Sequence, residues 1–444
     1  MRGLRLAFDG RSLASPVLRG WHRYAIGLVE ALTRRGAEVT LFHRTALPLH
    51  EANVAHLGCR TAGLRDRGGL YYEQVSVPWA LARGGFDLFH APFEHGVPLV
   101  APCPVVLTLH SATSHSYRDL VERGHLPGRV RDYLGYDIRC GSPASLYWRA
   151  QIPRADHILT PSEFSRQEII RLLHTDPSRV SATPLAIPEP FCRPPRPEAT
   201  RAATLRRLGL TRPFLLYVGG YEPHKNVRGT LDAFARVHAA RPELSLVLVG
   251  TNAILEEDLG AARGLGLRPG RDVFFLVDLG EELPDIYDAA ELLLTLSWRE
   301  TFCLPLLEAM ARGLPVVASS WGAAPEVVCE AGRLVDPRDP EAAAGAVFEL
   351  LAADRSETRR ASLDQAGRFD WDRVADQTLD VYEGLLERRA ARRRRWFVGA
   401  WAGGGRPQPP PGEGGYSPAA KGPREDGAPG LSTGPTLARA SDPP

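Results

Sequence analysis

Residues 292–319 read LLLTLSWRETFCLPLLEAMARGLPVVAS, and the order of residue types in that stretch decides the fold. The apolar run LLLTLS (292–297) reads as a buried strand. A polar loop follows, and then a helix whose Leu306, Leu307, Met310 and Ala311 are spaced for burial on one face. Pro305 suits the first helical position, where its missing N–H would have no partner anyway. After Gly313 the run PVVAS (315–319) is again a strand. Glu300 falls in the loop at the first strand's carboxyl end, and Glu308, eight positions on, is expected in the helix's first turn.

The same strand and helix alternation extends in both directions. Downstream of Pro213 the strands read FLLYVGG (214–220), LSLVLVG (244–250) and VFFLV (273–277), with a helix from Val227 to about His238. The first half gives LRLAF (4–8), VTLF (39–42), FDLFH (86–90), VVLTLH (105–110) and HILT (157–160), with a helix over 21–35 and another N-capped by Ser162. Short apolar runs alternating with amphipathic helices fit parallel sheets covered on both faces. Between the two arrays, IPEPFCRPPRPEA (187–199) is crowded with prolines and reads as a linker. The expected fold class is therefore α/β, with two doubly wound parallel sheets facing across a cleft. Ligands of such sheets sit outside the strands' carboxyl ends, which singles out the loops after Phe8, His110, Val218 and Ser297.

At 444 residues the chain is long enough for two or three domains. Lys plus Arg number 54 against 52 Asp plus Glu, so no overall field favours nucleic acid as a partner. Six cysteines are scattered without CxxC or zinc spacing, which suits a reducing, cytoplasmic setting. The opening MRGLRLAFDG lacks the uninterrupted apolar core of a signal peptide, and no stretch approaches the roughly 20 apolar residues of a membrane span. Past Ala390 the chain turns arginine-rich and then, from Gly403, Gly/Pro-rich, a composition expected to be disordered. RRRRWFVGAW (392–401) has the make-up of a peripheral membrane contact, against the plainer reading of a solvated tail.

Several residues have the chemistry of a ligand site. Amides around Phe302, Cys303 and Leu304 at a helix start favour an anion. A carboxylate on either side of them accepts hydrogen bonds from vicinal hydroxyls, and a nucleoside diphosphate sugar carries diols at both ends of a diphosphate. The plainer reading of Glu308 is a charge that stabilises the helix dipole. In YVGGYEPHKNV (217–227), Gly219 and Gly220 permit close backbone approach and Lys225 can reach a diphosphate, although a surface lysine after a flexible turn is the common case. Gly20 opens the first helix after a loop that lacks the full G-x-G-x-x-G fingerprint, which disfavours ordinary NAD binding. His110 ends a strand and faces the expected cleft. Asp370 and Asp372 in FDWD precede a helix and read as caps rather than metal ligands.

Taken together these segments resemble the GT-B glycosyltransferases of the large retaining family often called family 4. The resemblance covers roughly residues 4–388 and rests most on SWRETFCLPLLEAMARGLPVVAS with APEVV and AGRLVDP. RGWHRYAIGLVEAL, ADHILTPSEFSRQEI with RVSATPLAI, YVGGYEPHKNV, ELPDIYDAAELLLTLS and the closing FDWDRVADQTLDVYEGLL support it. It implies a Rossmann-like acceptor domain over 1–190, a linker over 191–205, a Rossmann-like donor domain over 206–372, a terminal helix over 373–390 that crosses back, and a tail over 391–444. It also implies roles. Glu300 holds hydroxyls of the donor sugar, the amides from Phe302 to Leu304 meet sugar and diphosphate, and Glu308 binds the ribose. Lys225 neutralises the leaving group, Gly20 admits it from the first domain, His110 touches the transferred sugar, and the base rests near Val277 and Asp278.

No protein nucleophile is evident in retaining members of this kind, and the departing phosphate takes the acceptor's proton, so catalysis is mostly positioning and charge stabilisation. Neither metal nor other cofactor is implied. The expected activity is transfer of a hexose, of mannose or glucose type, from a nucleotide sugar to a saccharide or lipid-linked acceptor for an envelope or exopolysaccharide. A donor-binding scaffold without turnover and a nucleotide-sugar 2-epimerase are the alternatives that share the fold. Three residues depart from the resemblance: Gly220 stands where many relatives carry arginine, Cys303 replaces a glycine, and Leu276 stands where glycine is common.

Overall fold

The fold was analysed in a computed structural model, which describes residues 3–15, 20–126, 147, 150–250 and 256–402. Residues 1–390 form one compact unit built on two fully parallel sheets. The first contains β1 (Arg5–Asp9), β2 (Glu38–Arg44), β3 (Arg60–Leu64), β4 (Leu88–Ala91), β5 (Val105–Thr108), β6 (His157–Thr160) and β7 (Val180–Ala182), in the order β3-β2-β1-β4-β5-β6-β7. The second contains β8 (Phe214–Val218), β9 (Ser245–Gly250), β10 (Val273–Val277), β11 (Leu293–Thr295), β12 (Val316–Ser319) and β13 (Arg333–Val335), in the order β10-β9-β8-β11-β12-β13. In each sheet the chain winds outward from the centre, returns, and continues on the other side. The reversal lies between β1 and β4 in one sheet and between β8 and β11 in the other. At such a point the loops leaving two adjacent strands diverge to opposite faces and leave a crevice between them.

Every strand named from the sequence is present, and β4, β5, β6, β9, β11 and β12 are buried along their whole length, as strands covered on both faces must be. The structure adds β3, β7 and β13, each at a sheet edge. The helices that carry the argument are α1 (Gly20–Arg34), α2 (Val77–Gly84), α3 (Thr113–Glu122), α4 (Glu163–Leu173), α5 (Val227–Ala240), α6 (Leu283–Ala289), α7 (Leu304–Ala311), α8 (Ala324–Val328) and α9 (Trp371–Ala402).

The proline-rich segment is not bare linker. It holds short helices at Glu189–Cys192 and Glu198–Arg207, with Pro188 and Pro197 just outside their starts, where a missing N–H costs nothing. α9 runs on to Ala402, so the arginine-rich stretch is helical rather than irregular, in keeping with the high helix propensity of Ala and Arg. Asp370 caps α9 by accepting from the Arg373 amide at 2.8 Å, and Asp372 pairs with Arg34 of α1 at 3.2 Å. Further along, Tyr382 bonds His90 of β4 at 2.5 Å, so the terminal helix lies against the first sheet's layer. Residues 403–444 lie outside the described residues, as does Cys140.

Candidate functional site

β8 and β11 are neighbours, paired at Leu216 and Leu293, although they are far apart in sequence. Their exit loops therefore meet, and these carry Lys225 and Glu300. The Lys225 ammonium donates to both Glu300 oxygens, at 2.8 and 2.9 Å, and the Ser297 hydroxyl donates to Oε1 at 2.8 Å. Burial opposes the charge on Glu300, but Lys225, His224 and Ser297 outweigh it and hold its pKa below the usual carboxylate value. Burial likewise opposes the charge on Lys225, and Glu300 reverses the outcome, so the lysine's pKa is raised.

Two residues outside the sequence reading fix this geometry. Asn226, at φ +51, caps α5 by accepting from the Gly229 amide at 3.1 Å and donates to the Leu296 carbonyl at 2.8 Å, tying the lysine loop to the end of β11. Gly322, at φ +72, presses against Glu300, and a Cβ there would stand 2.7 Å from the Glu300 amide nitrogen.

α7 begins at Leu304 after Cys303, which adopts the left-handed conformation (φ +71, ψ +67). Pro305 is thus the second helical residue rather than the first. Glu308 is the fifth, one residue deeper than a start at Pro305 gives. Its burial is that of a core residue, with the Tyr287 hydroxyl of α6 donating to Oε2 at 2.8 Å and Arg23 of α1 at 3.5 Å from Oε1. Burial raises its pKa, against the smaller opposing pull of Arg23 and Tyr287. Gly20, the first residue of α1, lies against Leu304, the first residue of α7; a Cβ on Gly20 would be 3.3 Å from the Leu304 Cδ1 atom. Two helix N-termini, one from each sheet's layer, therefore converge beside the Lys225–Glu300 pair. In α7 Pro305 has no N–H and the Leu306 amide bonds the Cys303 carbonyl at 3.0 Å, so the Leu304 amide is the donor left to the helix tip, and both dipoles favour an anion there.

The first layer also grips the Glu300 loop from behind. Ser162 and Ser165, at the start of α4, donate to the Thr301 carbonyl at 2.7 and 3.1 Å. Glu326 of α8 accepts from the Glu163 and Phe164 amides of α4 at 2.8 and 2.6 Å. Arg299 forms a buried ion pair with Glu168 of α4. Across the opening, Tyr117 of α3 bonds the Nδ1 atom of His224 at 2.6 Å. Burial, with Lys225 adding to it, lowers the pKa of His224 to about 4.

The other expected site residues take no part in the bonds described around Lys225 and Glu300. His110 stacks edge-on against Tyr24 at 5.0 Å, and its Nε2 atom donates to the Pro92 carbonyl at 3.1 Å, which leaves Nδ1 as an acceptor in the neutral ring. Burial lowers its pKa to about 4, so it is neutral at physiological pH. Val277 and Asp278 are exposed at the end of the edge strand β10, with Asp278 at φ +51. Gly219 donates its amide to Val249 at 2.9 Å. At Gly220 a side chain would collide with the Glu222 carboxylate, which occupies the space over that glycine. Leu276 is half-buried and packs on the core. Ser297, Tyr287, Arg23, Tyr117 and Glu326 complete the site and were not singled out from the sequence. Of these, Arg23, one turn after Gly20, and Ser297, at the end of the LLLTLS strand, carried a positional signal there.

Comparisons with known proteins bear on the family and the fold. Residues 18–189 match the family described as Glycosyltransferase Family 4, and residues 212–353 match Glycosyl transferases group 1. The chain is 36% identical over 234 residues to O-antigen chain mannosyltransferase B of Escherichia coli, covering 51% of this chain and 60% of that protein. It is 31% identical over 262 residues to a D-inositol 3-phosphate glycosyltransferase of Stackebrandtia nassauensis, covering 55% of this chain and 57% of that protein. With the protein of that name from Thermobispora bispora it shares 34% identity over 416 residues, 83% of this chain and 90% of that protein. Among solved structures, sucrose-phosphate synthase from Thermosynechococcus elongatus superposes with a TM-score of 0.64 at 21% identity, covering 87% of this chain and all of that one. Anabaena HepE in complex with UDP and glucose gives 0.62 at 19% identity, covering 86% and 100%. At these identities the two structures speak to the fold alone.

Proposed function

Because the chain belongs to the group 1 glycosyltransferases, we propose that it transfers a hexose, of mannose or glucose type, from a nucleoside diphosphate sugar to a saccharide or lipid-linked acceptor with retention of configuration. The observation that carries this reading is the meeting of the α1 and α7 N-termini beside Lys225. That is a place built for a diphosphate, with a carboxylate at either end for hydroxyls. The second layer then takes the donor and the first layer the acceptor. The five described cysteines are free, which fits a reducing compartment such as the cytoplasm.

An ammonium has three N–H donors, and Glu300 takes two of them, so Lys225 keeps one for the leaving phosphate without releasing the glutamate. Glu300, held ionised and immobile, accepts from the sugar's hydroxyls. The Leu304 amide and the α7 dipole meet the charge that grows on the diphosphate as the glycosidic bond breaks. Glu308 accepts from the ribose diol in exchange for its long contact with Arg23. His110, neutral and held through Nε2, presents Nδ1 as an acceptor towards the transferred sugar. The departing phosphate takes the acceptor's proton on the same face, and no step calls for a protein nucleophile or a metal.

The test is a panel of uridine, guanosine and thymidine diphosphate hexoses, read by thermal shift and nucleotide release, with the product's anomeric configuration read by NMR. The expected result is stabilisation by one donor class, turnover that persists in a chelator, and a retained anomer. Stabilisation without release from any donor and acceptor pair would favour the scaffold reading; an inverted product would remove retention.

A further inference from the structure

Eight large apolar side chains are exposed among the described residues, and five of them, Leu70, Val75, Trp79, Leu99 and Val100, belong to two neighbouring segments of the first layer. We propose that this patch docks the protein on an anionic lipid surface. It is separate from the proposed transfer site and does not depend on what that site binds.

The first segment is a continuous helical run from Gly69 through a π-helical turn (Tyr72–Ser76) into α2. Val75, Trp79 and Arg83 follow at intervals of four and share one face. The widened turn brings the Leu70–Tyr71 pair, four or five residues earlier, to the same side. The second segment is the loop between β4 and β5. It is pinned to the first by Gln74, whose Oε1 atom accepts from the Leu99 amide at 2.8 Å and whose Nε2 atom donates to the Val97 carbonyl at 3.2 Å. Gln74 thus joins the loop that carries Leu99 and Val100, the latter 77% exposed, to the helical run that carries Val75 and Trp79. Behind them opens a cavity of about 350 Å³ whose lining includes Leu99, Val100, Cys103, Arg154 and Asp156.

Charge selects the occupant. The Arg83 guanidinium lies 4.3 Å from the centre of the Trp79 ring and that of Arg67 5.8 Å from Tyr71, so cations ride directly on the apolar groups. Arg154 is exposed at the cavity, and Arg389 of α9 donates to the Pro102 carbonyl in the same loop. The neighbouring carboxylates are already engaged: Asp66 by Arg44 and the Gly68 amide, Asp156 by the Val105 amide. A two-fold contact with a second copy brings the same surface, cations included, against itself and is repelled. A leaflet carrying anionic headgroups offers acyl chains for the apolar residues and phosphates for the arginines.

Full-length protein is sedimented with phosphatidylcholine vesicles with and without phosphatidylglycerol, at low and high salt, alongside W79S/V100S, R83Q/R154Q and R392Q/R394Q variants; melting curves confirm that each is folded. Binding only to the phosphatidylglycerol vesicles, falling at least about tenfold in W79S/V100S and several-fold with a flatter salt dependence in R83Q/R154Q, supports the proposal. It is overturned if wild type binds neither vesicle, or if W79S/V100S binds like wild type while R392Q/R394Q loses binding. It is equally overturned if wild type is a dimer in solution that W79S/V100S dissociates.

Discussion

Glu300 and Glu308 lie on one short stretch of chain with nearly equal side-chain exposure, 11% and 7%, yet their charges are driven in opposite directions. Glu300 has a lysine on both oxygens and a serine hydroxyl besides, and its pKa falls. Glu308 has one tyrosine hydroxyl and an arginine 3.5 Å away, and its pKa rises. Burial penalises both, so the separation comes from the distance and number of the compensating donors. Glu300 is fastened within its own layer, whereas the cation nearest Glu308 comes from the opposite layer. One end of the site is built beforehand, and the other is free to exchange its partner for a ligand.

Removing Lys225 breaks the contrast most severely. Lys225→Ala takes away the cation assigned to the leaving group, for which a loss of about 10²–10³ in kcat/KM is expected. It also leaves Glu300 buried without its counter-ion, so the melting temperature drops and Glu300 titrates upward, becoming more like Glu308. Wild-type turnover in this variant would remove the leaving-group role.

Glu308→Gln tests the other half. If Glu308 holds the ribose diol, the donor KM rises about tenfold, the cost of exchanging a charged for a neutral acceptor. The pH dependence separates the two carboxylates. The folded pKa of Glu308 lies above its unfolded value, so its favourable contribution is complete at low pH and is lost as pH rises through the folded pKa. Glu300 has the reverse sign: its contribution is present above the unfolded pKa and lost as pH falls through the depressed folded value. Melting curves of Glu308→Gln from mildly acidic to neutral pH should therefore lose less stability on the way up than wild type. A curve parallel to wild type would contradict the raised pKa.

A smaller effect follows from the first layer's hold on the Glu300 loop. Ser162→Ala with Ser165→Ala strips both hydroxyl donors from the Thr301 carbonyl, worth about 1–2 kcal/mol together. The loop loosens while Lys225 and Glu300 stay paired, so the donor KM rises about fivefold to tenfold with kcat less affected. Threonine at both positions restores it. A loss confined to melting temperature would make the contact purely structural.

The central strands were legible because covered parallel strands must be continuous apolar runs, as VVLTLH and LSLVLVG are. β3, β7 and β13 were not, because an edge strand is covered less: Arg60–Leu64 and Arg333–Val335 contain no fully buried residue and look like loop. In the site, Glu300, Lys225 and Gly20 could be picked out because each stands next to a strand end or helix start. Tyr287, Arg23 and Glu326 act by reaching across from other elements, which no local pattern encodes, whereas Ser297 bonds Glu300 from three residues away on the same loop. The start of α7 was misplaced by one residue because the helix begins at Leu304, directly after Cys303, whose left-handed backbone no cysteine advertises.

That residue gives the finest test. Cys303 at φ +71 bears about 1 kcal/mol of backbone strain that glycine does not. It also buries its thiol, and truncation there forfeits about 1 kcal/mol of packing. Cys303→Ala loses the packing and keeps the strain; Cys303→Gly loses slightly more packing and releases the strain. The glycine variant should therefore melt at or above the alanine variant despite deleting one more carbon. The opposite order would mean that packing against Leu306 and the rest of α7, rather than backbone conformation, sets the cost at this corner of the donor site. Glycine also widens the pocket at the point where α1 and α7 converge, so a donor bound more tightly by Cys303→Gly than by Cys303→Ala would show that the side chain narrows the pocket by its Cβ and not by its sulfur.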